Sequence, residues 1–275
     1  MKKVLLLGAA GMLGQALAKE LEHFELAAFD RAELDICDFD AIQKKLTELQ
    51  PTIVVNAAAY TAVDAAEADE QTAMQINAAA VENLANCCAD VGARLIHFST
   101  DYVFDGKNSA GYCEANPPSC PLSVYGASKL AGEIAIANSD CKHAIIRTSW
   151  LFGLGGSNFV ETMLRLGAEK SDLKIVADQI GCPTSCDDLA VATRELIESG
   201  ETGIFHLTNS DPTSWADFAR KIFQLADLKC EVIDIPTSGY PTPAKRPAHS
   251  ILLNTKRPKL RSWQQALAEY IKMKL

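Results

Sequence analysis

Apolar residues in this chain fall into short unbroken runs separated by stretches of helical spacing. The runs at 4–7, 26–29, 53–55, 95–98 and 144–147 are too short for helices. They are also too uniformly apolar for strands with one wet face, so they read as strands buried on both sides. Between them, Leu13, Leu17, Leu21 and Phe24 recur at helical intervals, and residues 38–49, 73–91 and 125–137 carry the same pattern. Strand and helix in alternation predict a Rossmann-like α/β fold: a doubly wound parallel sheet with helices on both faces.

After about residue 150 the pattern changes. Helices are expected over 159–167, 187–198, 215–226 and 262–274, and strands over 173–176 and 204–207, with Pro236, Pro241, Pro243 and Pro247 interrupting the chain before the last helix. The expected division is a dinucleotide-binding domain over 1–150, with a returning sheet strand near 203–208, and a smaller, mainly substrate-binding lobe over 151–275. That lobe would close over the carboxyl ends of the strands, the edge where open α/β sheets bind ligands.

Composition narrows the function classes. The 275 residues, 48% hydrophobic and 22% charged, suit a soluble protein with a sizeable core. A formal net charge of −9 argues against nucleic acid or an anionic membrane as partner, while leaving room for a local cationic pocket. Nine cysteines, odd in number and without a paired framework, point to free thiols in a reducing cytoplasm. Cys182 and Cys186 have no second pair of ligands at suitable spacing, so no metal site is expected. Lys2 and Lys3 followed by Val4 imitate the start of an export signal, but the apolar run stops at Gly8 and a buried first strand explains it better. No run approaches the roughly 18 apolar residues of a membrane span. A monomer or homodimer is expected.

Two motifs carry the candidate chemistry. Gly8-Ala-Ala-Gly11-Met12-Leu13-Gly14 follows the first strand and opens the first helix. Gly8 permits a tight turn, Gly11 lets backbone approach a pyrophosphate, and Gly14 allows close helix packing; the helix N-terminus then offers N–H groups and positive dipole to phosphates. The spacing is G-x-x-G-x-x-G rather than G-x-G-x-x-G. The second motif, Tyr125-Gly-Ala-Ser-Lys129, sets a tyrosine and a lysine on one helix face. A neighbouring ammonium is expected to lower the tyrosine pKa, giving a proton donor and acceptor for carbonyl and alcohol chemistry. Together the motifs imply hydride transfer to or from NADPH or NADH, coupled to proton transfer.

Other residues cluster at strand ends. Asp30 would bond adenosine ribose hydroxyls and favour NAD, whereas Arg31 would hold a 2′-phosphate and favour NADP; the two signals conflict. Asp35 and Ile36 fall near the adenine position. Asn56 and the alanines to Ala59 offer close backbone approach, and Tyr60 and Thr61 follow directly. Ser99 and Thr100 place hydroxyls where the sheet opens, and Thr100 could orient a substrate carbonyl toward Tyr125. His97 and His206 lie in apolar runs and read as satisfied core histidines, with no hydrolase triad in view.

These strings, with Tyr125-x-x-x-Lys129, resemble the extended short-chain dehydrogenase/reductases, and most of the chain is similar to the sugar-nucleotide reductases among them. The matching stretches are 55–64, 99–106, 124–133, 147–150, 178–184 and 246–250. The resemblance implies NADPH- or NADH-dependent reduction of the carbon-4 ketone of a dTDP-6-deoxyhexulose. Tyr125 would be the acid, Lys129 the residue on the nicotinamide ribose, and Thr100 the group bonding the substrate oxygen. It also places Asp101 and Trp150 at the sugar and makes Arg246 a candidate for the diphosphate. Some members bind Mg²⁺ at a dimer contact, whose ligands are not identifiable in this chain. Two other readings stay open. One is a sugar-nucleotide epimerase or dehydratase, although Thr100-Asp101 stands where dehydratases carry Asp-Glu. The other is a non-catalytic dinucleotide-binding regulator.

Overall fold

The computed structural model describes residues 2–274. Its centre is a six-stranded parallel sheet: β1 (Lys3–Leu7), β2 (Glu25–Phe29), β3 (Ile53–Asn56), β4 (Arg94–Thr100), β5 (His143–Thr148) and, from the second half of the chain, β7 (Gly203–His206), in the order β7-β5-β4-β3-β1-β2. The returning strand pairs with β5, Ile204 opposite Ile145. Chain direction across the sheet reverses between β1 and β3, and such a reversal opens a crevice at the carboxyl ends of the two strands.

The unbroken apolar runs have a simple cause. Successive side chains of a strand point to opposite faces. Val4 and Leu6 enter one core with Leu13 and Leu17 of α1 (Met12–Glu20) and Leu189 of α6 (Cys186–Ser199). Leu5 and Leu7 enter the other, with Ile42 and Leu46 of α2 (Phe39–Leu49) and Leu84 of α3 (Ala80–Asp90). Helix α4 (Val124–Asn138) lies on that second face against α3.

The helix expected over 73–91 runs from Glu70 to Asp90 and contains one π-helical turn, Gln75–Ala79. The wider turn brings Asn77 inward, where its side chain accepts from the Tyr60 N–H at 2.9 Å and donates to the Tyr60 carbonyl and the Ser128 hydroxyl at 3.0 Å each. Apolar periodicity cannot report such a turn, which is common at functional sites.

Later elements build a third core. Phe152, which precedes α5 (Phe159–Glu169), packs with Val160 and Met163 of α5, Phe218 and Ile222 of α7 (Trp215–Leu225), and Trp263 and Leu267 of α8 (Trp263–Lys274). A small parallel pair, β6 (Asp172–Val176) with β8 (Glu231–Ile235), flanks it. Strand β8 was not expected: it is largely exposed and lacks an apolar run.

One buried ion pair ties the catalytic candidate helix to the sheet. Arg147 of β5, fully buried, donates from Nε and Nη2 to the two carboxylate oxygens of Glu133 on α4, at 2.9 and 2.7 Å. Glu133→Ala would leave an unpaired buried guanidinium, and a loss of about 3–5 kcal/mol is expected on urea unfolding. Truncating exposed Lys44, which faces Glu48 at 4.0 Å, should change stability by no more than about 0.5 kcal/mol.

Candidate functional site

The three glycines of the first turn do different work. Gly8 has φ +79°, and its N–H donates to the Phe29 carbonyl at 3.0 Å. A Cβ there would stand 2.7 Å from the Ala58 nitrogen, and one on Gly14 would stand 2.0 Å from the Gly8 oxygen, so both positions are closed to side chains by packing. Gly11 meets only the Gly8 oxygen, at 3.3 Å, and it caps α1 without a side-chain hydrogen bond or an acidic residue in the first turn. The first N–H groups of α1 therefore have no partner within the helix and face a cavity of about 220 Å³. Leu13 buries its side chain in the core, and Met12 lies under Asn158, its Sδ 3.6 Å from Nδ2, so these two offer the site backbone only.

The lining of this cavity suits the adenosine part of a dinucleotide. Gly8 and Gly11 line one end, Arg31, Asp35 and Ile36 the other, and Ala57 to Ala59 the wall between. Asp30 and Arg31 are placed differently with respect to the cavity. Asp30 Oδ1 accepts from the Ala32 and Glu33 N–H groups at 2.8 and 3.0 Å, a turn cap, and Asp30 does not line the cavity. Arg31 does; it is 80% exposed, with Nε 3.2 Å from Asp35 Oδ2. The Cys37 N–H, and after it Arg31, hold the Asp35 carboxyl below the usual range. Tyr60 is clamped through its backbone by Asn77, and Thr61 is exposed; neither lines the cavity.

The second group of residues stands where β4 ends and α4 begins. Ser123 caps α4 by accepting from the Gly126 N–H at 3.1 Å, which brings Tyr125 into the first turn. Thr100, the last residue of β4, donates to Asp101 Oδ1 at 3.0 Å, and its hydroxyl is near enough to the Tyr125 phenol to favour the phenolate. Burial pushes that phenol up to about 12, against the opposing pull of Thr100. Asp101 is buried with Oδ2 unpartnered; burial raises it to about 6, with Ser250 and Thr100 opposing.

Lys129 corrects one expectation. Its ammonium was to lower the Tyr125 pKa, yet the phenol is raised. Lys129 Nζ instead donates to the Phe98 carbonyl at 2.7 Å and lies 3.3 Å from His97 Nε2. Burial lowers Lys129 to about 8, with Glu133 opposing. Helical spacing put the two residues on one face, but Lys129 is turned toward β4. His97 is buried with both ring nitrogens engaged, as its apolar surroundings suggested; one of its two partners is Lys129. Asn77 was not singled out and Asn56 was named only for close backbone approach, although each is a fully buried polar residue among apolar neighbours, a signal open to inspection.

The remaining candidates lie later in the chain. Trp150 adopts φ +49° and stacks on Trp215, with centroids 3.4 Å apart and planes 5° from parallel. A Cβ on Gly181 would stand 2.5 Å from the Trp150 ring, so this slab is backed by glycine. Arg246 is engaged by Asp64, at 3.1 and 2.7 Å, and by the Thr242 hydroxyl. The Cys182 and Cys186 thiols are pushed up by burial to about 11 and 12, unlike metal-binding thiolates. Among the described residues no group of three His, Cys, Asp or Glu could hold a metal ion, so a donor set for Mg²⁺ is not found within one chain. Among the described residues no helix is long and apolar enough to cross a membrane.

The family model described as RmlD substrate binding domain matches residues 1–275. The dTDP-4-dehydrorhamnose reductase of Sinorhizobium fredii is 42% identical over 257 residues, covering 89% of this chain and 86% of that one. The spore coat polysaccharide biosynthesis protein SpsK of Bacillus subtilis is 40% identical, covering 98% and 97%. The crystal structure of dTDP-4-dehydrorhamnose reductase from Bacillus anthracis in complex with NADP superposes with a TM-score of 0.96 at 40% identity, covering 99% of this chain and all of that one. A UDP-glucose 4-epimerase of Thermus thermophilus, 20% identical with a TM-score of 0.77, shares the fold. The chain belongs to the RmlD substrate-binding-domain family, that of the dTDP-4-dehydrorhamnose reductases.

Proposed function

We propose that this chain reduces the carbon-4 ketone of dTDP-4-dehydro-L-rhamnose to dTDP-L-rhamnose, a nucleotide-sugar step in surface polysaccharide synthesis. The observation that carries the reading is the placement of Thr100, at the end of β4, beside Tyr125, in the first turn of α4. The pair stands on the same carboxyl edge of the sheet as the Gly11 cradle, so proton donor and dinucleotide cavity share one cleft. NADPH or NADH, when bound, supplies the hydride. Every other task falls to side chains of this protein. A phenol pushed up to about 12 stays protonated at neutral pH and is loaded to protonate the oxygen as negative charge develops. Thr100 orients that oxygen by donating to it. Lys129 sits one turn beyond Tyr125 to hold the ribose. The free Oδ2 of Asp101 can accept a sugar hydroxyl, and the Trp150–Trp215 slab offers an apolar face to a ring. Arg246 would take the diphosphate by exchanging its bond to Asp64 for one to phosphate.

We assign residues 151–275 mainly to substrate binding, and the protein, with nine unpaired cysteines, to a reducing cytoplasm. Arg31 at the cavity rim, with Asp30 committed to a turn, favours NADPH over NADH.

Three outcomes test these roles. Tyr125→Phe should lose about 10²–10⁴-fold in turnover while NADPH binding by fluorescence titration is unchanged; retained turnover refutes the acid role. Arg31→Ala should cut kcat/KM for NADPH by about tenfold, roughly 1.5 kcal/mol for one charge-assisted contact, with little change for NADH. Asp101 binds a proton more tightly folded than unfolded, so its contribution to stability falls as pH rises from about 4 to about 6. Asp101→Asn should therefore raise thermal stability at pH 8 by the equivalent of about 1–3 kcal/mol, with the gain shrinking toward pH 4, and should lower turnover.

A further inference from the structure

A line of buried polar groups leads from the end of β3 to Lys129, and it admits one direction of hydrogen bonding. The Ala58 N–H donates to Asn56 Oδ1 at 3.1 Å. The Asn56 amide nitrogen is thereby turned the other way, and Nδ2 lies 3.1 Å from His97 Nδ1. The reversed amide would set its own N–H against the Ala58 N–H, two donors face to face. His97 Nδ1 is therefore an acceptor. The ring is fully buried, and burial holds its pKa well below the ordinary value, so it is neutral with its single proton on Nε2. Nε2 lies 3.3 Å from Lys129 Nζ, which itself donates to the Phe98 carbonyl at 2.7 Å. An N–H aimed at Nζ needs a lone pair there, and an ammonium has none.

From this polarity we infer that His97 is a positioning residue that holds Lys129 as a neutral amine in the cofactor-free protein, so that dinucleotide binding draws one proton from solvent onto Lys129. The inference rests on Lys129 serving the proposed reductase. The groups facing Lys129 agree with it. Glu133, one turn further along α4, favours the ammonium, but its carboxylate is occupied by Arg147 from β5. Tyr125, one turn earlier, carries its proton. From β3 and β4 come a neutral amide, a neutral imidazole and a carbonyl. Burial lowers Lys129 to about 8, so the neutral amine becomes the main form above that pH. The anionic phosphates of a bound dinucleotide favour the charged amine.

Histidine ¹⁵N NMR of the cofactor-free protein tests the first half. The Nε2–H tautomer of His97 is expected, and the Nδ1–H tautomer overturns the inference; this arm needs no cofactor and stands apart from the reductase reading. Asn56→Asp reverses the chain: a carboxylate accepts from both the Ala58 N–H and His97 Nδ1–H, which turns a lone pair toward Lys129. The tautomer should switch in that variant. The second half is read by calorimetry of NADPH binding near pH 8.5 in two buffers of different ionisation enthalpy. Wild type should take up between about half a proton and one, and Asn56→Asp close to none. Equal uptake in both, or none in wild type, overturns the inference. Should Asn56→Asp fail to fold, His97→Gln offers Lys129 a carbonyl oxygen and should abolish uptake in the same way. A purely structural His97 would leave proton uptake independent of both substitutions.

Discussion

Helix α4 carries Tyr125 and Lys129, and its seat is set by contacts that leave no room for a side chain. A Cβ on Gly126 would stand 2.4 Å from the Tyr102 carbonyl oxygen, and one on Gly132 would stand 2.2 Å from the Asn77 carbonyl oxygen. Backbone meets backbone at both points, six residues apart along the helix. Between them the Ser128 hydroxyl accepts from Asn77 and donates to the Tyr125 carbonyl at 2.8 Å. Beyond them the Glu133–Arg147 pair locks the helix to β5. Close-packed interiors resist displacement, so this seat passes to the two functional side chains as fixed distances to β4. The π turn belongs to the same device, since it delivers Asn77 to the contact.

Much of this was readable beforehand because the signals are local. Val4 to Leu7 predicts a doubly buried strand since each residue is apolar and the two side-chain directions enter different cores. The glycine turn is readable because Gly8 and Gly14 are demanded by contacts within a few residues or across one strand. What escaped depends on partners far away in sequence. The turn cap that Asp30 forms with Ala32 and Glu33 is not visible in its position after the strand. Lys129 looks like a partner of Tyr125 until β4 presents the Phe98 carbonyl and His97. Strand β8 has mostly exposed residues and gains its place only by pairing with β6, 59 residues away. Helical spacing says which side chains share a face; it does not say which way a flexible lysine turns.

Two parts of the protein use charge differently. On the sheet side the ionisable groups are buried and displaced from their usual ranges: Tyr125 upward, Lys129 downward, Asp101 upward. Where the second half of the chain meets the segment after β3, Arg246 and Asp64 form a partly exposed pair. Proton chemistry thus sits where solvent is excluded and small groups matter most, while charge exchange with an anionic ligand sits where water can assist.

Asn56 carries a further consequence, concerning chemical ageing. An asparagine deamidates when the nitrogen of the next residue attacks its side-chain carbonyl carbon, and the product is the very aspartate that would reverse hydrogen bonding toward His97. Here the Ala57 nitrogen donates to the Leu7 carbonyl at 3.0 Å, and Oδ1 is held by Ala58. Asn56 itself ends a strand buried on both sides. The backbone pairing that opens the crevice between β1 and β3 therefore also restrains the attacking atom, and the amide is kept for the lifetime of the fold.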